Sequence, residues 1–309
     1  MALLVILLVA GAAGVVAALL AARYPAHVPA AGTPTLEAAE RVGREMRRHE
    51  HLGAFWRRRR DPSMATGFAL TIALVVVFVA GIGLGLLAYF VRTDSELIEL
   101  DASVAQWGAD HASAWSTDVI ETLTHLGDTL VVIVLALILV AVELLRAPSR
   151  WIVPFVLLVI LGQNLITNGL KEVFDRLRPT INPIAETLGP SFPSGHSATA
   201  AAFYAAAALL LGRRRAPRTH ALLAGAAVLV AVTVAGTRVM LGVHWLSDVI
   251  GGLLLGWAWF SVAAIAFGGR LLRFGAAAEH VSDAARGRST ESPAEVEAGY
   301  SPSAPRSGS

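Results

Sequence analysis

The stretch PSFPSGHSATAAAFYAAAALLLG, residues 190–212, sets a proline-rich turn, a Ser-Gly-His triplet and a long run of alanine and leucine directly in series. The run reads as an apolar helix, and the turn places His196 at its mouth. A histidine at that position needs a reason, because the rest of the chain offers it greasy surroundings. Of the 309 residues, 55% are hydrophobic and only 16% are charged, a composition outside the range of ordinary soluble domains. Composition therefore assigns the chain to the membrane. A net charge of +2 gives nucleic-acid binding no support. The absence of cysteine removes disulfides, thiolate metal sites and cysteine nucleophiles.

A helix needs roughly 20 mainly apolar residues to cross a hydrocarbon core. Six blocks approach or meet that length: Gly67 to Val91, Leu130 to Leu145, Ile152 to Leu170, Ala198 to Gly212, Ala221 to Arg238 and Trp245 to Phe267. The second and fourth are short, so their ends are expected to reach into flanking polar residues. Arginines cluster before the first block (Arg57 to Arg60), between the second and third (Arg146, Arg150), between the fourth and fifth (Arg213 to Arg215, Arg218) and after the sixth (Arg270, Arg273). The positive-inside rule puts these four places in the cytoplasm. The acidic connection from Arg92 to Asp128 then lies outside, together with Lys171 to His196 and the turn around Gly242. Trp107, His111 and Trp115 in the acidic connection read as an interfacial aromatic belt.

Residues 1–22 form an additional apolar segment without a preceding positive charge, read as a transmembrane helix or signal anchor with its N-terminus outside and not cleaved. Residues 23–66 read as a basic cytoplasmic linker, with His49, Glu50 and His51 on a solvated helix. Residues 67–269 form the six-helix domain. Residues 270–309, rich in Ser, Pro, Gly, Ala and Glu, read as a disordered cytoplasmic tail. High Ala, Arg and Gly usage points to a GC-rich bacterial source.

Basic residues on the expected outer side break the charge rule, and they fall into three clusters at helix ends. The first runs from Lys171 through Arg176 and Arg178 to Pro179, the second is Pro193-Ser194-Gly195-His196, and the third spans Thr237-Arg238 to His244 and Asp248. His244 and Asp248 stand four apart at a helix start, so the carboxylate can hold one ring nitrogen and leave the other as a nucleophile or base. Ser194, Gly195 and His196 open a helix whose free N–H groups suit an anion. Lys171, Arg178 and Arg238 add fixed positive charge, and the arginine fork matches phosphate oxygens. Together they describe a site for a phosphoryl group in transit. Each cluster alone has an ordinary explanation as snorkelling cations, a helix cap or a local pair. Their common order and membrane side favour function.

Lys171-x6-Arg178-Pro179, Pro193-Ser194-Gly195-His196 and Arg238-x5-His244-x3-Asp248 resemble the three-part signature of the type 2 phosphatidic acid phosphatase (PAP2) superfamily, over about Gly67 to Phe267. Thr237 stands where that family usually has serine, and the hydroxyl is retained. The resemblance implies an all-α membrane protein, a six-helix PAP2-type bundle plus the N-terminal helix. It implies His244 as the residue that attacks phosphorus, Asp248 as its orienting partner and His196 as the acid and then the base. Lys171, Arg178, Arg238, Ser194 and Gly195 would hold the phosphoryl oxygens, with no metal and no cofactor.

The expected substrates are membrane lipid phosphates or pyrophosphates, such as undecaprenyl pyrophosphate, phosphatidic acid or phosphatidylglycerophosphate. Transfer of the phosphoryl group to another lipid or sugar fits the same residues, and so does a non-catalytic lipid-phosphate binding protein. A metal site built on His196, His244 and Asp248 is opposed by the surrounding cations. A haloperoxidase would use the same pocket, but that family's examples are soluble. Gly251, Gly252 and Gly256 are expected to allow close helix packing.

Overall fold

The computed structural model describes residues 1–23, 62–93, 95–180, 189–213 and 215–271. The linker from residue 24 to 61, with its histidines and Arg57 to Arg60, and the tail from residue 272 lie outside the described residues. Within those described, the chain is helical without strands: α1 (Ala2–Arg23), α2 (Pro62–Thr93), α3 (Ser95–Asp110), α4 (Ala114–Thr124), α5 (Thr129–Arg146), α6 (Ile152–Phe174), α7 (Gly195–Gly212), α8 (Pro217–Met240) and α9 (Leu246–Leu271). Seven of these, all but α3 and α4, are long and apolar enough to cross a membrane. The all-α membrane bundle with an extra N-terminal helix is thus the observed fold.

Burial ranks the helices. In α7, 56% of the span is enclosed by protein, against 11% in α2, so α7 is central and α2 faces lipid. Small side chains make that centre possible: Ala198, Ala200, Ala201, Ala202 and Ala206 are all buried. One core layer joins α5, α6, α7 and α9 through Val132, Leu139, Phe155, Val159, Phe203, Leu210 and Ala263. Outward-facing Phe78, Leu137 and Leu165 supply the apolar coat that lipid requires.

Helix ends differ from the sequence reading where function is concerned. The third block runs four residues beyond Leu170, so Lys171 lies in the last turn of α6. The fourth begins at Gly195, which puts His196 in the first turn of α7. Within α6, residues Leu158–Gly162 form a π-helical turn. Such a turn misaligns carbonyls, and here Trp259 Nε1 donates to Leu158 O at 3.0 Å while its ring covers Gly162. The acidic connection, read only as an outer loop, folds into α3 and α4. Ser113 caps α4 in reciprocal hydrogen bonds with Ser116.

Helix α1 runs antiparallel to α8. Ile6 packs on Gly236, and a Cβ on Gly14 would sit 2.8 Å from the Gly225 carbonyl oxygen, so the two backbones touch through glycine. The first turn of α1 buries Leu3 and Ile6 with Ile120, Leu241 and Val243. It therefore begins at the end of the bundle that carries the three polar clusters. The opposite end is closed by Glu143 and Arg213, a buried ion pair at 2.7 Å.

Glycines on α9 fix the approach of α7. A Cβ on Gly252 would lie 2.5 Å from the Ser194 carbonyl oxygen, one on Gly251 2.8 Å from the Phe192 ring, and one on Gly256 would collide with the Ala198 carbonyl. Gly252→Ala should destabilise the detergent-solubilised protein by about 1–3 kcal/mol, because the obstacle is backbone. Gly81→Ala, where a Cβ meets nothing within 4 Å, should be neutral or stabilising within about 1 kcal/mol. Thermal unfolding of both variants checks the contrast.

Candidate active site

The third cluster supplies the centre. Met240 ends α8, Gly242 takes a positive φ of 67° in the turn that follows, and α9 starts at Leu246. His244 hangs from that turn with its side chain 3% exposed, and Asp248 in the first turn of α9 is fully buried. Asp248 Oδ2 lies 3.3 Å from His244 Nδ1 and accepts the Trp245 N–H at 2.9 Å. A carboxylate can only accept, so His244 carries its proton on Nδ1. The other nitrogen, Nε2, then presents a lone pair, and it faces Arg178 Nη1 at 3.3 Å. Burial holds the His244 ring far below the usual histidine range, at about 4; Arg178 and Arg238 act the same way, and Asp248 opposes them. The ring is neutral at pH 7.

The first cluster reaches this centre through an unwound segment. Helix α6 ends with Asp175 in the left-handed region, at a φ of 40°. Beyond it the chain is stapled to its neighbours: Ser191 N–H donates to Arg176 O at 2.8 Å, and Trp245 Nε1 donates to Leu177 O at 2.9 Å. Arg178 donates to the carbonyls of Gly189 and Val243 at 2.9 and 2.7 Å. These contacts fix its guanidinium beside His244.

The second cluster closes on the third through backbone. Ser194 N–H donates to Asp248 O at 2.9 Å. The Ser194 hydroxyl accepts from the Ser197 hydroxyl at 3.0 Å and from the Ser197 amide at 3.5 Å, capping α7. Its own proton stays available for another acceptor. Gly195 and His196 occupy the first turn, whose amides have no partner within the helix.

Lys171, in the last turn of α6, lies within electrostatic range of Arg178, Arg238 and Asp248. Arg238 acts in the same way on both His196 and His244. Its Nη1 donates to Thr124 Oγ1 at 3.1 Å, while its buried Nε has no hydrogen-bond partner. An unpaired buried donor costs free energy, and an anion among these cations would remove that cost. The structure therefore gathers every residue singled out in the three clusters at one end of the bundle. Thr237 is set apart: its hydroxyl donates to Val234 O in its own helix, so the serine-to-threonine difference does not reach the site. Among the described residues no group of three or more His, Asp or Glu is placed to hold a metal ion.

Two residues, Asp101 and Asp128, escaped the sequence reading, and Arg176 stood in the first cluster without an assigned partner. Arg176 donates to Asp248 Oδ1 at 2.6 Å, to Ser247 Oγ at 2.8 Å and to Asp101 Oδ2 at 2.8 Å. Asp101, buried on α3, also accepts the Ser247 hydroxyl and the Ser247 N–H at the start of α9. Asp128 Oδ1 lies 2.5 Å from His196 Nε2. Arg176 carried no signal beyond its place in the first cluster, and the two aspartates were two among the eight acids of a connection read only as lying outside. By contrast, Trp107 stacks on His111 at 4.6 Å and Trp115 is 70% exposed, and among the described residues neither makes a hydrogen bond or ring contact to the three clusters.

Two outcomes follow. Arg176→Ala should cost about 3 kcal/mol or more of stability, since it strands Asp101 and Asp248 as buried unpaired carboxylates; denaturation in detergent measures it. In histidine-labelled protein, the His244 ring resonance, identified by its loss in His244→Gln, should keep neutral-ring shifts from pH 8 down to about pH 5. A midpoint near 6.5 would contradict the buried neutral ring.

A model of the PAP2 superfamily matches residues 152–271. Phosphatidylglycerophosphatase B of Bacillus subtilis is 33% identical over 147 residues, covering 46% of this chain and 70% of that protein. Lipid A 1-phosphatase of Rhizobium johnstonii is 33% identical over 202 residues, covering 58% and 79%. The crystal structure of a transmembrane PAP2 type phosphatidylglycerolphosphate phosphatase from Bacillus subtilis superposes with a TM-score of 0.60 at 28% identity, over 64% of this chain and 98% of that one. With relatives this similar over more than two thirds of their own length, the chain belongs to the PAP2 superfamily and is a multi-pass membrane phosphatase.

Proposed function

We propose that the protein hydrolyses a lipid phosphate monoester or pyrophosphate on the extracytoplasmic side of the membrane through a phosphohistidine. The observation that carries this reading is the pairing of His244: Asp248 takes Nδ1–H, and Nε2 faces Arg178 with its lone pair. In the first half-reaction Nε2 attacks phosphorus and forms an N–P bond. The bond from phosphorus to the lipid oxygen breaks, its electron pair stays on that oxygen, and His196 supplies the proton. In the second half His196 takes a proton from water, the water oxygen bonds to phosphorus, and the N–P pair returns to His244. Inorganic phosphate leaves and both histidines are restored.

Lys171, Arg178 and Arg238 hold the phosphoryl oxygens, joined by the first-turn amide of Gly195 and the spare proton of Ser194. Aimed donors in a partly dry site stabilise the spread charge of the transition state. The chemistry needs no metal, because three cations already occupy the place a divalent ion would take. The relatives are named for phosphatidylglycerophosphate and lipid A phosphate, which supports a lipid phosphate as substrate here. Arg146, Arg150, Arg213 and Arg218 stand at the end of the bundle away from the site, which supports the sidedness by the charge rule. The same rule puts the N-terminus of α1 outside, and the packing of Leu3 and Ile6 at the end of the bundle that carries the site agrees.

Phosphate release by purified protein from phosphatidylglycerophosphate, phosphatidic acid, lipid A and undecaprenyl pyrophosphate, with chelator present, tests the reading. His244→Ala should lower kcat by at least about 1,000-fold on the preferred lipid, since it removes the nucleophile itself. Equal release by the variant, or abolition of wild-type release by chelator, would overturn the mechanism.

A further inference from the structure

The second histidine of the site has a carboxylate of its own. Asp128, between the 3-10 turn His125–Gly127 and α5, has Oδ1 2.5 Å from His196 Nε2 and Oδ2 2.5 Å from His125 Nδ1. It stands at the N-cap of α5, where an aspartate normally accepts from the first amides of its helix. Here it makes no side-chain cap bond, and both oxygens go to histidines. Burial alone would raise this carboxyl, yet the hydrogen bonds from His125 and His196 hold it below the usual carboxylate range. It is an anion at neutral pH.

The segment that carries Asp128 is built against the site. Leu126 O accepts the Tyr204 hydroxyl of α7 at 2.9 Å, and Thr124 accepts from Arg238. A Cβ on Gly127 would come within 3.1 Å of both the Cβ and the carbonyl oxygen of His196, and 2.7 Å from Val234. Only glycine lets the turn lie this close to α7. The carboxylate is thus delivered to His196 by a fixed turn across 68 residues of sequence.

We infer that Asp128 is the positioning residue of the acid–base histidine, the counterpart for His196 of what Asp248 is for His244. This rests on the assignment of His196 proposed above. His196 shares its surroundings with the cations of Arg238 and Lys171, which oppose the imidazolium that an acid must be before it gives up its proton. Asp128 supplies the compensating negative charge and holds Nε2–H, leaving Nδ1 as the nitrogen that exchanges a proton with substrate. In the first half the Nδ1 proton passes to the departing lipid oxygen and the ring becomes neutral. In the second half Nδ1 takes a proton from the attacking water, and the imidazolium again faces Asp128. His125, exposed, secures the far oxygen of the carboxylate.

A structural role and a proton-holding role separate by leaving group. An alkyl phosphate leaves as a strongly basic alkoxide and needs the acid, whereas p-nitrophenyl phosphate leaves as a weakly basic phenolate and hardly does. Purified wild type, Asp128→Asn and His196→Gln are assayed on a lipid phosphate monoester and on p-nitrophenyl phosphate. Asp128→Asn should lower kcat/KM, which reports the steps up to loss of the leaving group and not the phosphohistidine hydrolysis common to both esters, by about 30–100-fold on the lipid, within the range of lost orienting partners, and by less than about 5-fold on p-nitrophenyl phosphate. His196→Gln should show the same split, larger. A split in His196→Gln with equal losses on both esters, or no loss, in Asp128→Asn overturns the role of Asp128 alone. No split in His196→Gln overturns the assignment of His196 as acid, and this inference with it.

Discussion

Asp248 holds the site together. Its carboxylate is fully buried, yet it is fully engaged: one oxygen accepts from the His244 ring and the Trp245 amide, the other from Arg176, and its main-chain carbonyl accepts from Ser194 N–H. One residue in the first turn of α9 therefore binds all three sequence clusters. A buried carboxylate is tolerable only when paired and hydrogen-bonded, so Arg176 and Asp101 behind it are a condition for its being there. The requirement passes outward from His244 to α3, which explains why a helix of the acidic connection must dock against the membrane domain.

Membrane physics explains the location of the rest. Ionisable side chains are costly in hydrocarbon and are tolerated at helix ends or among partners. Every charged residue of the site lies in a last turn or a first turn of a spanning helix or in the connection between two spanning helices. Close approach of those ends requires small residues along the shafts, which is what the alanines of α7 and the glycines of α9 provide. Packing deep in the bundle and geometry at its mouth are the same problem. A methyl group at Gly252 would push directly on the Ser194 carbonyl, one bond from the first turn of α7.

The spans were legible because apolar run length is a strong and local signal, and α7 at 18 residues shows how far a short run can be trusted when its ends are polar and functional. The three clusters were legible because their residue types and spacing are unusual together. What the sequence hid was long-range partnership. Asp101 and Asp128 look like any acids in an outer connection, and only the fold shows that one meets Arg176 and Ser247 and the other meets His196. Neither α3 nor α4 has an apolar run long enough to stand out, since each buries just one face. The π-helical turn in α6 had no sequence mark apart from Gly162, whose role depends on Trp259 nearly a hundred residues later.

The central claim is that His244 becomes covalently phosphorylated. Rapid acid-free quenching of turnover on a lipid carrying labelled phosphate, followed by peptide mapping, tests it most directly. The account requires label that is stable in alkali and labile in acid, located on the peptide containing His244 and absent from His244→Gln. Steady turnover by wild type with no labelled protein at any quench time, or label that persists in His244→Gln, would contradict it.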